Sequence, residues 1–199
     1  MEQTWQVQKK HINKNPLMKL ILRKFNNDVI ETISLINPKT VLDIGCGEGF
    51  VTIEIAKKIN SKIVGIDKEK DAIKYALSNN KLENIEYSTG DIFKLDYFKD
   101  KSFDLVMSLE VLEHLENYEK AIEIMCKLSK KYLLLSVPNE PWFRIANVLR
   151  LKYLKRFGNT PGHINNWTRK EFRNLCMGYG KIIKFKTSGV WNIVLLEVN

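Results

Sequence analysis

The stretch Thr40–Phe50, TVLDIGCGEGF, decides the fold of this chain. Its first half is the apolar run of a buried strand, and glycines at Gly45, Gly47 and Gly49 predict a turn after it. A helical pattern then covers residues 48–59. A glycine turn between strand and helix lets a ligand approach the backbone at the N-terminus of the helix. The stretch therefore predicts a nucleotide-type binding loop.

The acidic end of the strand argues against a dinucleotide as the ligand. The fingerprint G-x-G-x-x-G needs its third glycine where this chain has Phe50, and the strand carries Asp43 near its end. A carboxylate at the mouth of the loop would repel a pyrophosphate but would attract a ligand with a positive tail. S-adenosylmethionine carries both an ammonium and a sulfonium. The alternative is a glycine turn that only joins a strand to a helix.

The spacing Asp43-x-Gly45-x-Gly47-x-Gly49 resembles the first motif of the class I S-adenosylmethionine-dependent methyltransferases. The resemblance implies a Rossmann-like, doubly wound α/β fold, with a mostly parallel seven-stranded sheet and a C-terminal antiparallel pair. It also implies that Asp43, Gly45, Cys46, Gly47 and Gly49 bind S-adenosylmethionine.

Acids that follow the next two predicted strands agree with this cofactor. The strand Lys62–Ile66 ends at Asp67, about 20 residues past the glycines, where an acid accepts hydrogen bonds from both ribose hydroxyls. Capping of the next helix is the alternative role of Asp67. After the third strand, the family's pattern places an acid near the adenine amino group, which Asp91 matches, and Ile92 is expected to pack on the ring. The predicted cofactor-binding set is completed by Lys68, Ser108 and Leu109.

Helical and strand patterns alternate along the chain, which is typical of a parallel, doubly wound sheet. We expect residues 1–37 to be an N-terminal helical segment and residues 38–199 to be the methyltransferase domain. In the resembling family the first segment often covers the cofactor or substrate, a role for Trp5 and His11, with a frayed arm as the alternative. The predicted helices are Pro16–Ile36, Glu69–Ser78 and Tyr118–Leu128, and the remaining predicted strands are Ile85–Ser88, Phe103–Met107, Tyr132–Val137, Lys181–Thr187 and Trp191–Val198.

Composition restricts the class of protein further. The three cysteines form no C-x-x-C pair, so neither a disulfide framework nor a zinc site is predicted. No stretch approaches the roughly 20 apolar residues that span a bilayer, and the polar N-terminus lacks the apolar core of a signal peptide. We therefore expect a cytoplasmic protein without a transmembrane segment.

The net charge of +9 is concentrated in the last third, where residues 138–199 hold eleven Lys or Arg against three acids. A solvated surface explains such an excess, and so does an anionic acceptor, RNA or a lipid head group. The sequence Pro141–Phe157, PWFRIANVLRLKYLKRF, interleaves basic and apolar residues and predicts a basic amphipathic helix. It lies in an inserted lid of about residues 139–166. The helix could hold an anionic acceptor, lie on a membrane beside a lipid-linked acceptor, grip RNA, or simply cover the end of the sheet.

Methyl transfer needs an aligned acceptor and a group that takes its proton. After the fourth strand, a helix would place Glu110, Glu113 and His114 on one face, at i, i+3 and i+4. His163 precedes a second predicted helix, whose Thr168 and Glu171 have the spacing of a capping box. These two carboxylates and two imidazoles are the predicted catalytic residues. The alternative is that Glu110 pairs with His114 and only fixes the helix start.

Two family resemblances compete at these residues. The segments E-V-L-E-H and G-H-x-x-x-W-T resemble small-molecule methyltransferases related to the ubiquinone-biosynthesis O-methyltransferases. They also resemble the small-RNA 3′-terminal 2′-O-methyltransferases, which implies a divalent metal on Glu110, Glu113, His114 and His163. That family has extra RNA-binding segments for which this chain lacks room.

We therefore predict a methyltransferase that acts on an O or N, less readily a C, of a small or lipid-associated acceptor without a metal. A metal-dependent RNA 2′-O-methyltransferase is the first alternative. A non-catalytic cofactor-binding partner subunit is the second, and His114 and His163 argue against it because such a subunit needs no base. The sequence predicts no oligomeric state.

Overall fold

A computed structural model describes residues 16–199 of the chain, so Trp5 and His11 lie outside the described residues. The chain divides into two compact units between Asp91 and Ile92. We call them the N-terminal unit and the C-terminal unit. Among the helices of residues 16–199, none combines the length and the apolar composition that crossing a bilayer requires.

The N-terminal unit holds three parallel strands in the order β3-β2-β1. Val41 of β1 lies opposite Ile63 of β2, and Ile63 lies opposite Ile85 of β3. These side chains are buried because helices cover parallel sheets on both faces, which explains the apolar runs of the sequence. The elements are α1 (Pro16–Ser34), β1 (Thr40–Ile44), α2 (Phe50–Ala56), β2 (Lys62–Asp67), α3 (Lys70–Asn79) and β3 (Ile85–Thr89).

The C-terminal unit has the strand order β4-β5-β8-β7. Strands β4 and β5 are parallel, whereas β8 is antiparallel to both β5 and β7. The elements are a 3₁₀ turn (Ile92–Lys94), β4 (Phe103–Leu109), a 3₁₀ turn (Leu112–His114), α4 (Tyr118–Leu128), β5 (Ser129–Glu140), α5 (Trp142–Leu149), a 3₁₀ turn (Leu154–Arg156), β6 (Trp167–Thr168), α6 (Arg169–Met177), β7 (Gly180–Ser188) and β8 (Trp191–Val198).

The predicted Rossmann-like α/β class is confirmed: the described strands are mostly parallel and end in an antiparallel pair. In addition to the seven predicted strands, the described residues form the two-residue strand β6, which pairs with the end of β5. Thr168 and Glu171 form the predicted capping box at the start of α6. Such a cap stabilises a helix by about 1 kcal/mol.

Two helix predictions are wrong. The residues from Glu110 to His114 are not one α-helical face: Glu110 has a left-handed backbone with φ of 60°, and a 3₁₀ turn follows at Leu112–His114. The basic helix predicted over Pro141–Phe157 ends at Leu149. The amides of Arg150 and Lys152 donate to the Asn147 carbonyl there, which turns the chain.

Candidate functional site

The glycine loop between β1 and α2 adopts the backbone that its sequence predicts. Gly45, Gly47 and Gly49 have φ of 78°, 55° and 77°, a left-handed region that other residues enter only at a cost. The amide of Gly45 donates to the carbonyl of Ile66 at 2.8 Å, so the loop is hydrogen-bonded to the end of β2. Gly45 and Gly47 are partly exposed in this loop, whereas Gly49 is buried.

Asp67 organises this loop as well as the start of α3. One carboxylate oxygen accepts a hydrogen bond from the amide of Gly47 at 2.8 Å, and the other accepts from the amide of Glu69 at 2.9 Å. Asp67 can bind the ribose hydroxyls, as predicted, and also cap the helix that follows, because a carboxylate has about four acceptor positions.

Asp43 is a buried carboxylate in β1, directly below the loop. Its environment raises its pKa to about 7, chiefly by burial, with a smaller contribution from the negative charge of Asp67. The hydroxyl of Thr52 donates to Asp43 at 2.7 Å and opposes the shift. A cationic ligand nearby would favour the charged form of Asp43. This property fits the positive tail of S-adenosylmethionine.

Tyr87 supports the loop from β3, a role that the sequence analysis missed. Its buried ring lies beside Gly49 and Gly65, and a Cβ atom added at Gly65 would lie 2.8 Å from ring atom Cδ1. The same Cβ atom would lie 3.1 Å from Sγ of Cys46, whose thiol pKa burial raises well above its usual range. Cys46 therefore packs as a neutral thiol. The signal for Tyr87 was its inward position in the alternating strand β3.

The other residues predicted for the cofactor lie at strand ends or just beyond them. In the N-terminal unit, Lys68 is exposed after β2, and Asp91 is partly exposed two residues after β3. In the C-terminal unit, Ile92 is buried in a 3₁₀ turn, and β4 ends with buried Ser108 and half-buried Leu109. The assignment of these residues to the cofactor stays a prediction.

Three of the four predicted catalytic residues form one cluster in the C-terminal unit. Potential ligand atoms of Glu113, His114 and His163 all lie within 4.8 Å of one another. The two imidazole rings meet edge to face, with centroids 4.8 Å apart and planes at 85°. Glu113 and His163 are buried, whereas His114 is exposed. The arrangement can exchange protons with a bound acceptor or hold a divalent cation.

Backbone hydrogen bonds bring the two halves of this cluster together. The amides of Ile164 and Asn165 donate to the carbonyl of Glu113 at 2.9 and 3.1 Å. The side-chain amide of Asn165 donates to the carbonyls of Leu112 and Leu115 at 3.1 and 2.7 Å. The loop that carries His163 is thereby fixed against the 3₁₀ turn that carries His114. Asn165 is a positioning residue that the sequence analysis missed.

His114 has a defined hydrogen-bond partner on the same loop. Its Nδ1 atom lies 2.9 Å from the carbonyl oxygen of Gly162. Since a carbonyl can only accept, Nδ1 carries a proton in this contact, and in the neutral ring the lone pair is then on Nε2. Such a ring can take a proton or bind a metal through Nε2.

His163 is held by aromatic packing. Its ring is 7% exposed and stacks on Phe143 of α5, with centroids 5.5 Å apart and planes at 26°. Phe143 in turn contacts the ring of Trp191 in β8. The inserted segment thus supports a candidate catalytic side chain directly.

Glu110 is not a member of the group of potential ligand atoms that Glu113, His114 and His163 form among the described residues. One of its carboxylate oxygens accepts a hydrogen bond from the hydroxyl of Ser136 at 3.0 Å, and its amide donates to the carbonyl of Ser136 at 3.1 Å. The Gly162 carbonyl is the partner of His114 at Nδ1, and the alternative in which Glu110 pairs with His114 stays a prediction. Glu110 therefore joins the end of β4 to β5.

Comparison with known proteins identifies the family. The profile of the methyltransferase domain matches residues 37–179, so the chain belongs to this family. Norajmaline N-methyltransferase from Rauvolfia serpentina is 35% identical over 96 residues, which are 46% of this chain and 32% of that protein. The mitochondrial ubiquinone biosynthesis O-methyltransferase from Dictyostelium discoideum is 29% identical over 64% of this chain and 43% of its own length. The chain therefore spans less than half the length of these two relatives.

A solved structure shares the fold over nearly the whole chain. Magnesium protoporphyrin IX methyltransferase from Synechocystis, solved with S-adenosylhomocysteine bound, has a TM-score of 0.71 and 19% identity. The match covers 93% of this chain and 88% of that protein. Together the comparisons confirm the predicted class, the S-adenosylmethionine-dependent methyltransferases of the Rossmann-like type, and with it the cofactor of the class.

Proposed function

We propose that this chain transfers a methyl group from S-adenosylmethionine to an oxygen or nitrogen of a small acceptor, with His114 taking up the acceptor's proton and His163 orienting the His114 ring. The observation that carries the proposal is the hydrogen bond between Nδ1 of His114 and the Gly162 carbonyl, at 2.9 Å. It places the lone pair of an exposed imidazole on Nε2, where a substrate proton can be accepted.

The N-terminal unit contains most of the residues that would hold the cofactor. The three left-handed glycines keep side chains out of the loop, Asp67 offers acceptor positions for the ribose, and Asp43 offers a carboxylate for the positive tail. The cofactor supplies an electrophilic methyl group on a sulfonium. The chain's own task is then to orient the acceptor atom and to remove its proton.

The two histidines have different tasks in this proposal. His114 is exposed and takes the proton from the acceptor's hydroxyl or amine at Nε2. His163 is buried, stacks on Phe143 and lies edge to face with His114, so it restricts the orientation of the His114 ring. The relatives named above as N- and O-methyltransferases support an oxygen or nitrogen acceptor.

A second candidate function rests on the proximity of Glu113 to the two histidines. A carboxylate and two imidazoles within 4.8 Å are a donor set that suits a divalent ion such as Mn²⁺ or Co²⁺. The chain would then be a metal-dependent 2′-O-methyltransferase of RNA 3′ ends. The cluster contains three of the four ligands that the RNA family resemblance implies, and Glu110, whose carboxylate accepts a hydrogen bond from Ser136, would be the fourth.

Release of S-adenosylhomocysteine, measured over a panel of phenols, amines and lipid-linked alcohols, tests the main proposal. The wild-type chain should release product only when an acceptor is present. His114→Ala should slow turnover about 10²–10⁴-fold, the usual contribution of a general base. Leu77→Ser on α3, at a side chain that is 49% exposed, is the matched control and should keep the wild-type rate. Equal rates in the wild type and His114→Ala would refute the assigned base.

A further inference from the structure

We infer that residues 142–157, here called the docking segment, bind the surface of an anionic lipid bilayer. In the described part of the chain, fourteen large hydrophobic side chains are exposed, and seven of them belong to these sixteen residues. Isolated exposed apolar side chains are ordinary, but a concentration of this kind marks an interaction surface. The seven are Trp142, Ile145, Val148, Leu149, Leu151, Leu154 and Phe157.

The first half of the docking segment is a helix with a buried face and a separate, exposed apolar face. Phe143 and Asn147 are buried, at 7% and 5% exposure, and they attach α5 to the C-terminal unit. Trp142, Ile145 and Leu149 follow at i, i+3 and i+7 on another face and are 60%, 42% and 79% exposed. Packing within the unit does not account for this second face.

The second half of the docking segment is a closed loop that holds its apolar side chains outward. The buried side-chain amide of Asn147 donates to the carbonyl of Gly158 at 2.9 Å, and the amide of Lys152 donates to the Asn147 carbonyl at 2.8 Å. These bonds join the two ends of the loop. Leu151 and Phe157, both in left-handed conformations, are 79% and 84% exposed within it.

The charge of the docking segment selects the partner. Its sequence contains five basic residues and no acid. Apolar side chains that insert below the head groups, together with basic side chains at their level, are the two components of interfacial binding to anionic lipid. The basic residues are Arg144, Arg150, Lys152, Lys155 and Arg156; Arg144 pairs with the carboxylate of Glu140 at 3.6 Å, so its charge is already balanced within the unit.

The kind of apolar side chain favours lipid over RNA. Single-stranded RNA is held by aromatic rings that stack on bases, whereas five of the seven exposed side chains are aliphatic. A protein partner is an outcome of the test, since the docking segment combines three arginines and two exposed aromatic rings, which are enriched in protein interfaces, with two lysines, which are depleted there. The bilayer satisfies both the aliphatic and the basic components.

Docking would bring the candidate active site to the membrane. Phe143, on the buried face of α5, stacks on His163 at 5.5 Å. A helix with its side chains is about 10 Å across, so His163 would lie roughly that far from the lipid. An acceptor embedded in the bilayer would suit this arrangement; this statement about the acceptor rests on the proposed function, whereas the docking itself does not.

Co-sedimentation with vesicles tests the docking without any turnover. The full chain should pellet with vesicles of phosphatidylcholine and phosphatidylglycerol and much less with phosphatidylcholine alone. Leu149→Ser and Phe157→Ser should each weaken binding about tenfold, because each removes an inserted apolar side chain. Arg150→Gln should weaken binding about fivefold, and raising the salt from about 50 mM to about 500 mM should weaken it further.

Met177→Ser is the matched control, because Met177 is 59% exposed at the end of α6, outside the docking segment. It should pellet like the wild type, and all variants should keep the wild-type circular dichroism. Three results would overturn the inference: a wild-type chain that stays in the supernatant, serine variants that pellet like the wild type, or a dimer that the same serine substitutions dissociate. Binding of single-stranded RNA that these substitutions abolish, without vesicle binding, would also overturn it.

Discussion

Asp43 is the residue at which burial and charge conflict most directly. The residue is 3% exposed and lies near a second acid, Asp67, yet it is the residue predicted to bind a positively charged ligand. Burial raises its pKa to about 7, so the group changes charge close to neutral pH. Ionisation of Asp43 therefore lowers the free energy of unfolding, and a neutral side chain of the same shape would remove this loss.

Stability should fall as the pH rises from about 4 to about 7. Because the folded pKa of Asp43 is about 7 and its usual value is 3.8, the folded chain holds a proton in this window that the unfolded chain has lost. At 1.36 kcal/mol for each pH unit, the loss has an upper bound of about 4 kcal/mol. Asp43→Asn should remove this slope in urea unfolding at pH 5 and pH 8, whereas Asp96→Asn, at an exposed acid, should keep it. If stability depended on pH equally in Asp43→Asn and in the wild type, the raised pKa of Asp43 would be contradicted.

At the scale of elements, the prediction from sequence was good wherever a regular pattern continued over many residues. The strands and the helix α4 follow their apolar periodicity, and the glycine loop has the left-handed backbone that its spacing implies. Glu110 shows the limit: the spacing of acids and histidine fits a helix, but contacts with Ser136 and Asn165 fix a strand end and a 3₁₀ turn. Such contacts join residues 26 and 53 positions apart, and local sequence does not encode them visibly.

The end of the inserted helix has the same explanation. The alternation of basic and apolar residues continues past Leu149, but the Asn147 side chain binds Gly158 and closes a loop instead. The candidate site was likewise predicted as residue types and not as a geometry. His114 and His163 were identified from the sequence, whereas the Gly162 carbonyl and the Phe143 ring that fix them were visible only in the structure.

The packing of β2 against β3 gives a prediction for an element. Gly65→Ala would place a Cβ atom 2.8 Å from the Tyr87 ring, so it should destabilise the chain by about 1–3 kcal/mol, as overpacking does. Gly178→Ala at the end of α6, where the nearest atom would be 3.3 Å away, is the matched control and should cost less. Urea unfolding of both variants measures the difference. Tyr87→Leu should recover part of the loss in the Gly65→Ala background, and equal stability of the two alanine variants would contradict the proposed packing.

At the scale of the whole molecule, the two units carry different parts of the proposed chemistry. Most of the residues predicted for the cofactor belong to the N-terminal unit, and the histidine pair belongs to the C-terminal unit. The basic excess lies in the last third, in the same unit as the histidines and the docking segment. Family membership accounts for the cofactor of the class, whereas the proposed acceptor chemistry and the proposed docking both rest on residues of the C-terminal unit.

The measurement that tests the central claim most directly is the turnover of S-adenosylmethionine with an active acceptor in the presence of EDTA. If His114, oriented by His163, takes the acceptor's proton without a metal, the release of S-adenosylhomocysteine should proceed at the same rate with and without the chelator. His163→Ala should lower that rate less than His114→Ala does, because His163 orients the base. Loss of turnover in EDTA, with recovery on adding Mn²⁺ or Co²⁺, would contradict the claim and assign Glu113, His114 and His163 to a metal.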